Sequence, residues 1–215
     1  MNQNKHTDIK YITDAIRNKI LRGIYQPGTK LSENSLSEEF SCSRTPVREA
    51  FKRLETDHLV EILPHSGTYV RIPTLDEAIE ITEIRAYLEC LAFRLACERK
   101  APYETLELLA DQMEAILHSP EIDFVLFGKV HYHFHTHIVE LGGNSMLCDV
   151  YAKLNIAFSA LFYNTMQPDE IETTIKEHRS LVEYLKSGNV DEASYFMYNH
   201  LWGKRERLIA SRTES

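Results

Sequence analysis

The sequence predicts a mainly α-helical protein, in which an N-terminal winged helix-turn-helix is followed by an all-α bundle of about six helices. Two observations support this fold class. Three short helical patterns precede two strand-like segments in the first third of the chain, and the rest has helical periodicity with short breaks. Such short connections favour antiparallel neighbouring helices. We therefore expect two domains, residues 1–73 and residues 74–215.

The first three helices are predicted from apolar spacing and from residues that cap helices. Isoleucines at spacings of three and four run from Ile9 to Ile20, which predicts a first helix that ends at Gly23. Ser32 can cap a second short helix, and Ser43 can cap a third. A turn of about three residues between these two helices is the helix-turn-helix arrangement.

A β-hairpin is predicted directly after the third helix. Leu59–Leu63 and Thr68–Ile72 have the composition of strands, and Pro64-His65-Ser66-Gly67 between them is typical of a turn. Three helices followed by a hairpin make a winged helix. Pro73 then marks the linker, and Thr74 can cap the next helix.

The second domain is expected to be helical throughout, with breaks at clusters of proline, glycine and asparagine. The predicted helices span Leu75–Glu98, Tyr103–Leu117, Ile122–Leu141, Ser145–Tyr163, Asp169–Ser187 and Asp191–Ala210.

Composition and charge narrow the class of protein. The net charge of the chain is −8, but residues 1–72 contain 11 Lys and Arg against 9 Asp and Glu. The excess of acidic residues therefore lies in the second domain. This distribution is typical of an N-terminal domain that contacts nucleic-acid phosphates, joined to a domain with a different function. The four cysteines are scattered, and no stretch has the length of a membrane span or the pattern of a cleaved leader. We expect a soluble, cytoplasmic protein with no membrane partner.

The third predicted helix has separate packing and basic faces. At 100° per residue its apolar and basic residues form two stripes: Val47, Ala50, Phe51 and Leu54 against Arg44, Arg48 and Lys52. Arg44 and Arg48 can offer paired donors to guanine, Thr45 can contact a phosphate or a thymine methyl group, and Lys52 can contact a phosphate. The alternative is a solvated helix with ordinary surface charges.

Two further places complete the expected DNA-binding set. Ser43 lies at the start of the basic helix. At the tip of the wing, His65 or Ser66 can enter the adjacent minor groove, and Gly67 permits a close approach.

Four histidines alternate along one predicted helix of the second domain. His131 and His135 are four residues apart, as are His133 and His137, so either pair can chelate a metal from one helix face. An apolar stripe lies between the pairs, and periodicity leaves open which pair faces inward. The alternative is that these histidines hold no metal.

Two more histidines lie on the last two predicted helices. His178 is early in the fifth helix of the second domain, and His200 is midway along the sixth. Both helices can bring an imidazole to the interior of a bundle.

Several N-terminal blocks occur together: Ile20-Leu21-Arg22-Gly23, Pro27-Gly28-Thr29-Lys30-Leu31-Ser32-Glu33, Ser43-Arg44-Thr45-Pro46-Val47-Arg48-Glu49-Ala50, Arg53-Leu54-Glu55 and Gly67-Thr68-Tyr69-Val70. In order and spacing they resemble the N-terminal domain of the GntR family of bacterial regulators. The resemblance implies a winged helix that binds operator DNA as a dimer, with Arg44 and Arg48 reading bases. Asn34 departs from the pattern, because some relatives have a DNA-contacting arginine there.

A second set of blocks lies in the helical domain: Phe134-His135, Gly143-Asn144, Glu177-His178-Arg179, Asp191, Ala193 and His200. These are similar to the FCD ligand-binding domain of the FadR-like branch of that family. The resemblance implies a divalent metal held by three histidines and by an aspartate four residues before the first of them. Carried over to this chain, the metal ligands are His131, His135, His178 and His200.

His131 stands where the family has the aspartate. An imidazole in place of a carboxylate removes one negative charge and favours zinc or nickel over manganese or magnesium. The alternative is that this ligand is lost and the site is weakened. Arg85 resembles the arginine on the first helix of the family's ligand-binding domain, where it can pair with the carboxylate of a small organic acid. Its alternative role is only to bridge Glu89 or Glu80 on its own helix.

These inferences predict a ligand-responsive transcription regulator, most simply a repressor, that binds palindromic half-sites as a homodimer. Effector binding is expected to change the spacing or orientation of the two winged helices. The competing functions are a regulator with a purely structural metal and a metal-dependent hydrolase. We expect no enzyme, because the sequence has no Ser/His/Asp or Cys/His arrangement and no His-Glu-x-x-His motif.

Overall fold

The computed structural model describes residues 8–21, 24–152, 154 and 168–212. The chain divides into two compact units, Met1–Pro73 and Thr74–Ser215. The chain has the predicted fold class, since it is mainly helical and its described residues form one small antiparallel sheet, which lies in the first unit. The predicted helix end at Gly23 and the last part of the helix predicted over Ser145–Tyr163 lie outside the described residues.

The first unit contains three helices and three short strands. In chain order they are α1 (Ile9–Leu21), β1 (Lys30–Leu31), α2 (Glu33–Glu39), α3 (Arg44–Thr56), β2 (Val60–Leu63) and β3 (Gly67–Val70). The strands form an antiparallel sheet in the order β1-β3-β2. The hairpin was predicted, but β1 was not, because a two-residue strand leaves no period-2 pattern to detect.

The apolar faces of α1 and α3 form the core of the first unit. Ile12 and Ile16 of α1 are fully buried, as the spacing of the isoleucines predicts. The packing stripe of α3 is buried as well, namely Val47, Ala50, Phe51 and Leu54. The basic stripe of α3 therefore faces solvent.

The serines predicted to cap α2 and α3 lie at the starts of these helices, but only one of them forms a capping hydrogen bond. The Ser32 hydroxyl accepts a hydrogen bond from the backbone N–H of Ser35 at the start of α2. Ser43 occupies the N-cap position of α3, but its side chain makes no capping hydrogen bond and is exposed. The predicted position of the N-cap is thus confirmed, but the prediction that the Ser43 hydroxyl caps the helix is wrong.

The second unit is a helical bundle. Its helices are α4 (Leu75–Glu98), α5 (Glu104–Leu117), α6 (Phe124–Leu141), α7 (described over 145–152), α8 (Pro168–Ser187) and α9 (Val190–Arg212). A capping box between Thr74 and Glu77 starts α4 at the predicted residue. Within the described residues, no helix is both long and apolar enough to cross a membrane.

Helices α4 and α9 pack along each other in opposite directions. Ala78 near the start of α4 packs with Leu208 near the end of α9. Towards the other end, the Cys90 thiol donates to the Ser194 carbonyl oxygen at 3.3 Å. This antiparallel pair, together with α6 and α8, surrounds the buried polar groups described next.

Candidate functional site

The exposed face of α3 presents the residues expected to contact DNA. Ser43, Arg44 and Thr45 are exposed at its start, where they precede the buried Val47. Arg44 makes no salt bridge with any residue that the structure describes, so its donors are available to an incoming ligand.

The other two basic residues of this face have acidic partners. Arg48 Nε lies 2.9 Å from Glu33 Oε1 and 2.8 Å from Glu33 Oε2, and this hydrogen bond raises the pKa of Arg48. Lys52 Nζ lies 2.8 Å from Glu49 Oε1. Any further contact of the Arg48 guanidinium would therefore compete with Glu33. No local pattern in the sequence indicated Glu33 as this partner.

The tip of the wing is a tight turn with two residues at positive φ. His65 has φ +62° and is exposed, and Gly67 has φ +127°. A Cβ at Gly67 would lie 2.9 Å from Lys30 Cε, so the glycine also makes room for the Lys30 side chain. Lys30 Nζ lies 5.6 Å from the centre of the Tyr69 ring, which adds a cation beside the wing that was not predicted.

In the second unit the structure distinguishes the two histidine pairs of α6. His131 and His135 are buried, whereas His133 is exposed and His137 is partly exposed. The inward pair thus lies on the face that also buries Phe127, Phe134 and Ile138. Periodicity could not decide this, because α6 is buried over more than half of its circumference.

Three imidazoles from two helices converge at this point. His135 Nε2 lies 3.2 Å from His131 Nε2 and 3.1 Å from His178 Nε2. One ring nitrogen from each of the three residues lies within 4.8 Å of those of the other two. All three side chains are buried.

Hydrogen bonds at the far side of the rings determine where the protons are. His178 Nδ1 donates to the Thr174 carbonyl oxygen at 2.6 Å, since a carbonyl can only accept. His135 Nδ1 donates to Glu89 Oε2 at 2.6 Å, since Glu89 is ionised. In neutral rings the lone pairs of both Nε2 atoms therefore face each other. A cation between them would relieve this repulsion.

Glu89 is the centre of a buried polar network. Its Oε1 accepts from Arg85 Nε at 2.7 Å and from the Tyr151 hydroxyl at 2.8 Å. Burial raises the pKa of Glu89, but Arg85, His135 and Tyr151 outweigh burial and hold that pKa at about 2. The carboxylate is therefore ionised and orients both His135 and Arg85.

His200 lies beside the three-histidine cluster. Its ring stacks on His135 with a centroid distance of 5.5 Å and is 4.9 Å from the ring of His178. Its Nδ1 lies 2.7 Å from Glu177 Oε2. Burial raises the pKa of Glu177, but this hydrogen bond together with the charges of His200, Arg207 and His135 outweighs burial and lowers that pKa. His200 is not among the three residues whose nitrogens lie within 4.8 Å of one another. Glu177, which orients the ring of His200, was not predicted from the sequence.

The clustered histidines are held in the neutral form. Burial lowers the pKa of His131 and of His178 well below the usual 6.5, and the neighbouring imidazoles lower both further. Burial also lowers the pKa of His135, although Glu89 opposes this shift. Neutral imidazole is the form that binds metals.

A small cavity adjoins the cluster. It is lined by Arg85, His131, His135, Thr174, His200, Leu201, Lys204 and Arg207. The volume that a water molecule can occupy in this cavity is about 20 Å³, which is enough for one water molecule. Arg85 is buried against Glu89 and also lines this cavity, so it occupies a place compatible with both of its predicted roles.

The donor set could hold a metal ion. The converging atoms are imidazole nitrogens, three in the cluster and a fourth ring beside it. Three of the four rings have a carboxylate or a carbonyl at Nδ1, the arrangement that orients metal-binding histidines.

Family models match both units of the chain. The model described as "Bacterial regulatory proteins, gntR family" matches residues 9–70, and the "FCD domain" model matches residues 80–202. A winged helix joined to such a domain defines a bacterial transcription regulator, a class that is not enzymatic. The chain belongs to the GntR family and carries a C-terminal FCD domain.

Individual relatives agree with this assignment. The chain is 29% identical over 190 residues to the HTH-type transcriptional regulator YdhC of Bacillus subtilis (strain 168), which covers 86% of this chain and 84% of that protein. It is 27% identical over 208 residues to the HTH-type transcriptional repressor RspR of Escherichia coli (strain K12), covering 93% and 88%.

A solved structure shows the same fold. The structure of Escherichia coli McbR/YncC superimposes with a TM-score of 0.75 at 21% identity and covers 95% of this chain and 98% of that one.

Proposed function

We propose that this regulator is a metal-dependent sensor of a small carboxylic acid that represses transcription from an operator with palindromic half-sites. The observation that carries the proposal is the convergence of the Nε2 atoms of His131, His135 and His178, buried beside a cavity that Arg85 also lines. A structural core histidine needs one partner for each nitrogen. Here the lone pairs of His135 Nε2 and His178 Nε2 are directed at each other across 3.1 Å.

The ligands proposed for the metal are His131, His135, His178 and His200. Their nitrogen-only character favours zinc or nickel. By the family resemblance His131 supplies a nitrogen in place of a carboxylate, so this ligand set would carry one negative charge fewer. When bound, the metal supplies a Lewis acid that can accept a carboxylate oxygen of the effector. Arg85 is already oriented by Glu89, and we propose that it contacts the same acid.

The winged helix is proposed to read the operator through α3 and the wing. We propose that Arg44 and Arg48 contact base edges and that Ser43 and Lys52 contact the backbone. Thr45 is proposed to contact a phosphate or a thymine methyl group, and the turn at His65 and Gly67 the minor groove; their exposure supports this. Two copies of the chain are needed to match two half-sites, so we propose a homodimer. A bacterial operator lies in the cytoplasm, where we expect the protein to act.

Repression is proposed because RspR, a relative over most of the chain, is named a repressor. In this scheme the effector binds one arrangement of the two winged helices better than another, and the affinity for the operator changes by that difference. A ligand that binds both arrangements equally would have no effect.

The test begins with the DNA segment upstream of the protein's own gene. Fluorescence anisotropy of the full-length, zinc-loaded protein should show binding that weakens with salt and exceeds binding to a scrambled segment at least tenfold. Binding that is equally strong on both segments would contradict the proposed operator.

The sensor is tested by thermal unfolding. Removing the metal with a chelator should lower the melting temperature, and adding small carboxylic acids to the metal-loaded protein should raise it. A response to the chelator without a response to any acid would leave a purely structural metal and would refute the sensor. Release of product from nitrophenyl esters that stops on chelation would indicate the hydrolase instead.

A further inference from the structure

The solvent face of the small sheet carries a lysine beside the tip of the wing. Lys30 of β1 lies directly opposite Tyr69 of β3, and Leu31 lies opposite Thr68. Leu31 and Thr68 are buried, whereas Lys30 is exposed. Side chains alternate between the two faces of a sheet, and directly opposed residues share a face. Lys30 and Tyr69 therefore lie together on the solvent side.

Two contacts direct the Lys30 side chain towards the wing tip. Its Nζ lies 5.6 Å from the centre of the Tyr69 ring. Its Cε lies 2.9 Å from where a Cβ would be at Gly67, so the lysine occupies space that a side chain at this position would need. The Tyr69 hydroxyl in turn lies 2.9 Å from the Ser66 hydroxyl in the turn. The ammonium is therefore next to the turn for which we propose a minor-groove contact.

The charge on this face is uneven. Glu61 of β2 lies opposite Tyr69 on the side away from Lys30. At about 4.8 Å between neighbouring strands, the backbones of Lys30 and Glu61 are about 10 Å apart, with Tyr69 between them. An anion at this face is therefore favoured at the β1 edge and disfavoured at the β2 edge.

A phosphate is the anion that DNA offers beside a minor groove. The two sugar-phosphate backbones border this groove, which is about 6 Å wide, so a wing tip that enters it has phosphates on each side. A lysine ammonium has three N–H donors and binds a phosphate as a point charge on a flexible stem. The contact of Lys30 with Tyr69 is therefore compatible with a phosphate contact.

We propose that Lys30 contacts a backbone phosphate beside the wing, and that the Tyr69 ring positions its ammonium for this contact. The inference rests on the DNA binding of the proposed function. Because a phosphate contact carries no sequence information, Lys30 contributes affinity on any DNA, whereas the choice of sequence stays with α3.

The test is the salt dependence of DNA binding by the full-length, zinc-loaded protein. Fluorescence anisotropy is measured between 50 and 200 mM salt on the segment upstream of the gene and on its scrambled copy. Loss of one phosphate contact reduces the slope of log K against log salt by about 0.9. Lys30→Gln should show this reduction on both segments, so its deficit relative to the parent should shrink about threefold over this range. Lys30→Arg keeps the charge and should retain the parent slope.

A matched control removes a lysine from another part of the same unit. Lys10 is an exposed residue of α1 that lines a surface cleft with Thr56, the last residue of α3. Lys10→Gln removes the same charge as Lys30→Gln and should leave the slope unchanged. Melting temperatures of both variants without DNA should stay close to that of the parent, since both lysines are exposed.

The positioning role of Tyr69 is tested by a double-mutant cycle. Without the ring, the Lys30 side chain has to be ordered when DNA binds, and immobilising such a side chain lowers affinity about two- to tenfold. Tyr69→Leu should therefore weaken binding by this factor in the parent and less than twofold in Lys30→Gln. Equal effects in both backgrounds would refute the positioning role.

The possible failures are distinguishable. A parent slope in Lys30→Gln, or equal losses of slope in Lys30→Gln and Lys10→Gln, refutes the phosphate contact and leaves the proposed function standing. A larger loss on the upstream segment than on its scrambled copy assigns Lys30 to a base and also refutes the phosphate contact. Equal binding of the parent to both segments contradicts the proposed operator alone, because the Lys30 slope is measured on either segment. A parent that binds neither segment refutes both proposals.

Discussion

Replacing Glu89 by glutamine tests the buried network that orients the site. Glu89→Gln keeps the size of the side chain and removes the negative charge opposite Arg85. In the parent protein Glu89 is fully buried and binds Arg85, His135 and Tyr151. The variant therefore leaves a buried guanidinium without its counter-ion, which is the costly way to disrupt a buried ion pair.

The magnitude can be estimated in two ways. Removing one partner of a buried ion pair costs about 3–5 kcal/mol of unfolding free energy. Independently, the network lowers the pKa of Glu89 from 4.5 to about 2, which corresponds to about 3 kcal/mol in favour of the ionised form. The two figures agree, so we expect Glu89→Gln to lose about 3 kcal/mol at pH 7.

The assay is urea unfolding of the metal-free protein followed by tryptophan fluorescence. Trp202, the single tryptophan, lies in α9 and reports on the second unit. Glu98→Gln is the matched control, because Glu98 lies on the same helix in an exposed pair with Arg94 and should cost less than about 1 kcal/mol. A loss for Glu89→Gln no larger than that of Glu98→Gln would refute the buried network.

Three further predictions follow from the same structure. The metal-free protein should lose stability as the pH falls below about 6.5, because His131 and His178 take up protons in the unfolded chain but stay neutral when buried in the folded protein. The free energy of unfolding should then fall by up to about 1.4 kcal/mol per pH unit for each histidine. Urea unfolding at pH 7.5, 6.5 and 5.5 measures this loss. Arg44→Ala should weaken operator binding by about 1–3 kcal/mol and relax its sequence preference, which competition anisotropy detects; an equal loss on all sequences would mean a phosphate contact. Gly142→Ala should cost about 1–3 kcal/mol in urea unfolding, since its Cβ would lie 2.9 Å from the Ala92 carbonyl oxygen. Gly203→Ala is the control and should not destabilise the protein, because its Cβ would meet only Arg207 Nη1 at 3.9 Å, an ordinary contact distance.

Local signals in the sequence were enough to predict most of the fold. Helix α4 has its predicted bounds, and its start is encoded locally, because the capping box joins Thr74 to Glu77 only three residues later. Strand β1 was missed, because only its pairing with β3 makes it a strand. The turn residues of the wing were recognised, but the second purpose of Gly67, making room for Lys30, depends on that same pairing.

The candidate site was only partly accessible from sequence. His131, His135 and His178 follow from the family resemblance. The choice between the two histidine pairs of α6 depends on which face of the helix turns towards Glu89 of α4 and His178 of α8. Glu177, Lys204 and Arg207 were missed because charged residues on a helix predict a solvated face by default. Their involvement comes from tertiary packing, which places α9 beside the histidines.

The most direct test of the histidine centre is a metal titration with matched histidine variants. Metal-free protein is titrated with zinc and with nickel in competition with a chromophoric chelator. We expect one ion per chain for the parent and for the double variant His133→Gln/His137→Gln, whose histidines lie on the outer face of the same helix. His135→Gln and His178→Gln should each weaken binding at least a hundredfold. Absence of binding in the parent, or equal losses in the inner and outer variants, would rule out a metal centre at the buried histidines.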